Sequence, residues 1–171
     1  NLITDITHRK EAEQALQESL ERHKLLMESS PVPITAYDQE GKVSYVNPAF
    51  TDLFGWSFEE LVGKRLDFVP PHEAEKTLDA VKRTVSGERV LIDSQRFTKD
   101  GKVLDVQINS APLIDHAGSL VGMFVIIRDI TEMKRAESEL VKHRDHLEQL
   151  VLDRTAALKE SEKQLRKAKE K

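Results

Sequence analysis

Apolar residues are spaced in three different ways along this chain, and each spacing predicts a different kind of element. Over residues 4–30 the apolar or borderline positions Ile6, Leu16, Leu20, His23 and Met27 fall close to a heptad seam, which predicts a helix. Pro31 and Pro33 end it, because proline cannot continue a helix and turns its predecessor away from helical geometry. Residues 32–130 mix short alternating runs with short helical ones. A β-prone run at 32–37 and a second at 42–46 are joined by the turn residues Asp38-Gln39-Glu40-Gly41. Asn47-Pro48 then reads as a helix start, Asn as the cap and Pro at the first helical position, followed by Phe50, Leu53 and Phe54 and stopped at Gly55. Ser57-Phe58-Glu59-Glu60 is a capping box, with Trp56 and Leu61 placed as a hydrophobic staple. Pro71 opens a longer helix with Ala74, Leu78, Val81 and Val85 at spacings of three and four, closed by Gly87. Three long strands are predicted at 89–98, 102–114 and 120–129. Asp100-Gly101 makes a hairpin of the first two, and Asp115-His116-Ala117-Gly118 turns the next pair.

The last stretch, residues 131–171, contains neither Gly nor Pro and reads as helix throughout. Met133, Ala136, Leu140, Leu147, Val151, Leu158, Leu165 and Ala168 form a narrow seam with heptad-like steps, weakened at Arg154 and Ser161. So thin a stripe cannot bury a helix by itself. It predicts a partner helix, most simply the same helix of a second subunit, with Leu16, Leu20 and Met27 extending the dimer seam on the first helix. The expected organisation is a linker helix at 1–30, an α+β domain at 31–130 and a coiled-coil helix at 131–171.

Composition narrows the chemistry. Charged residues make up 33% of the 171, yet net charge is only −4, which gives no support to nucleic-acid binding. There is no cysteine, so disulfides, thiolate nucleophiles and Cys-ligated metals are excluded, and a reducing compartment is compatible. No apolar run approaches the roughly 18 residues of a membrane span, and no signal-peptide pattern opens the chain. The expectation is a cytoplasmic segment without direct membrane contact, whose parent could be anchored elsewhere. The chain does not begin with Met, which fits an excised piece or a processed product.

Asp5-Ile6-Thr7 recurs as Asp129-Ile130-Thr131, and at the same offset Lys10 matches Lys134, Ala12 matches Ala136, Glu13 matches Glu137 and Leu16 matches Leu140. The chain is therefore expected to start where another copy of the middle domain would end, in a parent with tandem domains joined by helices.

The segments from Asp38 through Tyr45-Val46-Asn47-Pro48-Ala49-Phe50, and from Leu53-Phe54-Gly55-Trp56 through Leu61-Val62-Gly63-Lys64, resemble the first half of a PAS domain. Thr98-Lys99-Asp100-Gly101, and the close from Gly118 through Arg128-Asp129-Ile130-Thr131, resemble its second half, so the likeness covers about residues 20–131. It implies a five-stranded antiparallel sheet in the order 2-1-5-4-3, with helices on one face enclosing a small-ligand pocket. On that implication Phe50, Phe54, Leu61, Phe68, Leu78, Val81, Ile92, Ile108, Met123 and Val125 are the pocket candidates. The segment His146-Leu147-Glu148-Gln149-Leu150-Val151 through Arg154-Thr155-Ala156-Ala157-Leu158 is similar to linkers that precede the dimerisation domain of sensor histidine kinases.

The joint at Asp129 carries both a local and a family reading. An Asp between strand and helix can accept from free helix N–H groups, and Glu132, three residues on, is placed as its capping-box partner. The resemblance makes Asp129, Ile130, Thr131 and Glu132 the link between sensor and output. Asn47 reads as a helix cap rather than a ligand contact.

No cofactor is specified. Light-sensing relatives with a covalent flavin need a reactive Cys, which is missing here, as is any anchor for a thioester-linked chromophore. Haem-binding relatives use a His within the long helix, whereas His72 stands at its start beside Pro70-Pro71. Non-covalent flavin, or an unknown small ligand, is compatible with the chain. His143 and His146 lie one helical turn apart near Asp145, and their position on a solvated helix or its seam argues against a metal site. His143-Arg144-Asp145 also spells a fragment of a protein-kinase loop, but neither a Gly-rich loop nor an Asp-Phe-Gly accompanies it. With no nucleophile–base set and no nucleotide loop, this segment is expected not to be an enzyme, although its parent could be a protein-histidine kinase.

The expectation is a homodimeric module that detects a small ligand or an upstream signal and passes it to a downstream output domain. The rival is a ligand-free domain with a solid core, serving as a dimerisation spacer.

Overall fold

The computed structural model describes residues 2–169, with side chains described over 10–163 and at Leu165. The side chains of Ile6 and Ala168, and of the first copy of the repeated tripeptide, lie outside the described residues. The chain divides into two units, one ending at Ile130 and the other opening at Thr131.

The first unit begins with helix α1 (Leu2–Glu28), whose last turn is closed by Ser29 N–H donating to the Leu25 carbonyl at 2.9 Å. Strands β1 (Ile34–Asp38) and β2 (Val43–Val46) form the opening hairpin. Two short helices follow, α2 (Pro48–Phe54) and α3 (Phe58–Leu61). Then come a single 3-10 turn (Pro71–Glu73), helix α4 (Ala74–Val85) and the meander β3 (Val90–Phe97), β4 (Val103–Ile114) and β5 (Leu120–Asp129). All pairings are antiparallel, and the strand order is β2-β1-β5-β4-β3. This is the five-stranded α+β sheet expected from the resemblance.

Local chemistry sets most of the element ends. Asn47 caps α2 by accepting from Phe50 N–H at 3.0 Å, and Pro48 takes the first helical position, where its missing donor is harmless. Gly55 closes α2 in the left-handed region (φ 86°) and donates to Thr51 O, a conformation that favours glycine. Ser57 and Glu60 form the reciprocal capping box at α3, with bonds of 3.4 and 3.0 Å.

The core lies on the inner face of the sheet. Phe50, Phe54, Leu61 and Phe68 pack there with Val43, Val46, Leu104, Val106 and Ile127. The Phe50 and Phe54 rings stand 4.8 Å apart, and Phe54 meets Phe68 edge-on at 5.5 Å, a preferred aromatic arrangement. Trp56 also meets Phe68 edge-on, at 6.4 Å, so the staple residue reaches the core.

Helix α4 turns a different face to the sheet from the one its apolar spacing suggests. The side of α4 turned toward the sheet carries Thr77, Ala80, Val81 and Thr84, one residue out of step with the predicted Ala74-Leu78-Val81-Val85 stripe, and Leu78 is 54% exposed. Thr84 can be buried because its hydroxyl donates to the Ala80 carbonyl at 2.9 Å and pairs with the Ser110 hydroxyl at 2.7 Å.

The second unit is α5 (Thr131–Lys169), a helix of 39 residues. Its seam residues Met133, Leu140, Leu147, Val151, Leu158 and Leu165 are all exposed, as are Leu16 and Leu20 of α1, while Met27 is half-buried. Among the described residues, no helix is long and apolar enough to cross a membrane.

Candidate functional site

Between α4, the loop before it and the inner face of the sheet lies a cavity of about 190 Å³. Its floor is a cross-strand set fixed by register. Ile92 on β3 pairs with Ile108 on β4, Ile108 with Ile127 on β5, and Met123 on β5 with Tyr37 on β1. Paired residues share a face of an antiparallel sheet, so one inward residue commits its neighbours. The roof comes from Thr77, Ala80 and Val81 of α4, and Leu66, Phe68 and Val69 close one side.

Six of the ten candidates named from sequence come together on this wall: Phe68, Val81, Ile92, Ile108, Met123 and Val125. Phe50, Phe54 and Leu61 do not reach it. They sit on α2 and α3, spent on the neighbouring aromatic core, where they are 0–5% exposed. Leu78 does not reach it either, because it projects from the outer side of α4.

Sequence reasoning missed Leu66, Val69, Ala80 and Ile127 of this wall, and with them its polar residues Thr77, Arg96 and Ser110. Arg96 is 2% exposed and lies on the cavity wall. Its Nη1 donates to Ser94 Oγ and to the Gln95 carbonyl, both at 2.6 Å, and its Nη2 donates to Thr77 Oγ1 at 3.1 Å. Its guanidinium carbon lies 5.3 Å from the Phe68 ring centre, within cation–π range. Nε is buried without a hydrogen-bond partner. Burial pulls its pKa down to about 10, against the opposing pull of Tyr37 and Glu73, so it is charged at neutral pH. Burial likewise pushes the Tyr37 phenol up to about 12, although the Thr35 hydroxyl and the Arg96 charge act the other way. A signal for Arg96 did exist: Val90, Ile92, Ser94 and Arg96 alternate on β3 and pair with Ser110, Ile108, Val106 and Leu104. Reading it requires the hairpin register.

Asn47 does more than cap α2. Its Oδ1 also accepts from Ile34 N–H at 2.8 Å. Its Nδ2 donates to the carbonyls of Val32 at 2.9 Å, Met27 at 3.3 Å and Ser30 at 3.4 Å. One side chain thus ties the end of α1 to β1 and α2.

At the exit, β5 ends on Asp129 and α5 begins at Thr131 with Glu132 in its first turn. Ile130 is 2% exposed, and its N–H donates to the Asp105 carbonyl at 2.9 Å. His72 lies on the surface with its Nε2 3.0 Å from Gln95 Oε1, outside the cavity wall. Among the described residues, no group of three or more His, Cys, Asp or Glu side chains is placed to hold a metal ion.

Residues 27–135 match the family described as PAS fold. The chain is 33% identical over 132 residues to the C4-dicarboxylate transport sensor protein DctS of Rhodobacter capsulatus, a match covering 75% of this chain and 20% of that protein. It is 33% identical over 145 residues to the two-component sensor PprA of Pseudomonas aeruginosa, covering 82% of this chain and 16% of that protein. The chain thus spans about a fifth or less of these relatives. Among solved structures, the PAS domain of a Colwellia psychrerythraea protein superposes with a TM-score of 0.62 at 22% identity, over 66% of this chain and 98% of that one. With the sheet order observed and the family match extending over more than half its length, this chain belongs to the PAS family.

Proposed function

We propose that the chain is a sensory and relay module in which a small molecule in the cavity biases the geometry of the exit helix, and through it a downstream output domain. The observation that carries this reading is the composition of the cavity floor. Met123, Val125 and Ile127 are successive inward residues of β5, the strand that ends at Asp129 and leads to α5. Pockets for small molecules are mostly apolar with few polar anchors, and this wall has that character. A ligand that fits one position of β5 better than another shifts the population of exit geometries by its differential affinity. Asp129, Ile130, Thr131 and Glu132 are the transmitting residues in this proposal, with the Ile130–Asp105 bond as the pivot.

The output we favour is a two-component histidine kinase in the parent chain, since relatives of this segment are named as a two-component sensor and as a sporulation kinase. The exposed seams on α1 and α5 support a homodimer whose occupant is a second copy of this chain, because heptad-like spacing suits a like helix. The reading is tested by native mass spectrometry of the purified chain before and after denaturation, together with thermal shifts across a metabolite panel. A stoichiometric released compound, or a saturable shift, is the expected result. An empty chain that no compound stabilises would replace the sensor with the dimerisation spacer.

A further inference from the structure

Among the described residues, Arg96 is the only charged one on the cavity wall. A guanidinium carries five N–H donors. Three hydrogen bonds engage Arg96, to Ser94, Gln95 and Thr77, and none of these partners is a carboxylate. One donor on Nε and one on Nη2 are left without a protein acceptor. Nε is sealed from the cavity, which leaves the spare Nη2 donor and the guanidinium charge for an incoming carboxylate. The Glu73 carboxylate stops one hydroxyl short: it accepts from Ser94 Oγ at 2.9 Å and stands 3.9 Å from the Lys76 ammonium. A buried cation without a direct counter-ion is unfavourable in a folded chain, and an incoming anion relieves it.

We propose that the cavity takes a small organic monoanion, its carboxylate on Arg96 and its compact apolar body against Val81, Ile92, Ile108, Met123 and Val125. This deepens the sensory reading above and rests on it. The volume sets the size of the body. An apolar cavity of about 150 Å³ accommodates benzene, and this one measures about 190 Å³, so a single ring or a short branched chain fits. A second carboxylate would meet no second cation on the wall, which favours monocarboxylates over dicarboxylates.

The chain has three methionines, and of these Met123 lies on the cavity wall. Methyl-13C methionine labelling therefore reports occupancy directly. Benzoate, its uncharged analogue benzamide, the dicarboxylate succinate and the neutral probe toluene are titrated against the labelled chain. Benzoate is expected to shift the Met123 methyl resonance saturably and to bind about tenfold or more tightly than benzamide, with succinate no better than benzamide. Arg96→Met is expected to erase the preference for benzoate over benzamide, read as the ratio of the two dissociation constants. Should that variant not fold, the comparison of benzoate with benzamide on the unaltered chain decides alone. Equal affinity for the two overturns the anion inference and leaves the ligand-sensing reading standing. A Met123 resonance that responds to none of the four probes overturns the monoanion inference and leaves the metabolite panel to decide the sensory reading.

Discussion

Replacing Asn47 tests whether one side chain holds the first unit's helix junction together. Asn47 is 1% exposed, and its side chain takes part in five hydrogen bonds. In Asn47→Ala the α2 cap is lost, at about 1 kcal/mol. Ile34 N–H loses the acceptor that stood 2.8 Å away, and a buried donor left unsatisfied costs about 1–3 kcal/mol. Of the three carbonyls, Val32 at 2.9 Å has the closest bond and the most to lose. The expected destabilisation is about 3 kcal/mol, which for a domain of this size lowers the melting temperature by roughly 12–24 °C. Asn47→Asp separates the two jobs. It keeps both acceptor roles toward Ile34 and Phe50 but sets an anionic oxygen against the carbonyls of Met27, Ser30 and Val32. Urea unfolding gives the free energies, and amide hydrogen exchange locates the damage. In the alanine variant Ile34 and Phe50 should both lose protection. In the aspartate variant Phe50 should keep it while Ser29, whose N–H closes the last turn of α1, exchanges faster. An alanine variant within 0.5 kcal/mol of the unaltered chain would refute the reasoning.

Three further perturbations follow from the same geometry. A Cβ at Gly122 would sit 2.1 Å from the Tyr37 carbonyl oxygen, on the β1–β5 ladder. Gly122→Ala should therefore cost about 1–3 kcal/mol or more by forcing the strands apart, as read by urea midpoint. Thr84→Val strands the buried Ser110 hydroxyl, with an expected loss of about 1–3 kcal/mol, and adding Ser110→Ala should recover much of it, so additive losses in the double-mutant cycle would contradict the pairing. The chain has two tyrosines, both held above the usual phenol range, Tyr45 by burial and then by the negative charge of Glu28. In an ultraviolet titration the free-tyrosine step near pH 10 should be displaced upward, and Tyr37→Phe should remove the portion near 12. Because the folded-state value is raised, the Tyr37 contribution to stability is complete below about pH 10 and is lost as pH rises through about 12. Arg96, whose folded value is depressed to about 10, acts in the opposite sense over the same alkaline range.

What the linear chain determined by itself is whatever depends on a few neighbouring residues. The caps at Asn47 and Ser57, the helix stop at Gly55 and the Asp100-Gly101 hairpin are each settled within four or five positions, and the structure has them where the residues indicate. Strand order came from the resemblance and not from spacing. The face of α4 was beyond local reading. Leu78 and Val85 look like core residues until Thr84 is seen to find Ser110 across the domain, a partner 26 residues away that makes burial of a hydroxyl tolerable. Arg96 shows the same limit. Polar residues fall on both faces of β3, so its alternation does not say which face is inner, and only pairing with Leu104, Val106 and Ile108 turns Arg96 inward. Caps and turns are short-range electrostatics and sterics, while the direction a side chain takes across a sheet is set by register with strands far away in sequence. The charge that Arg96 brings to the cavity wall is therefore a product of the tertiary structure.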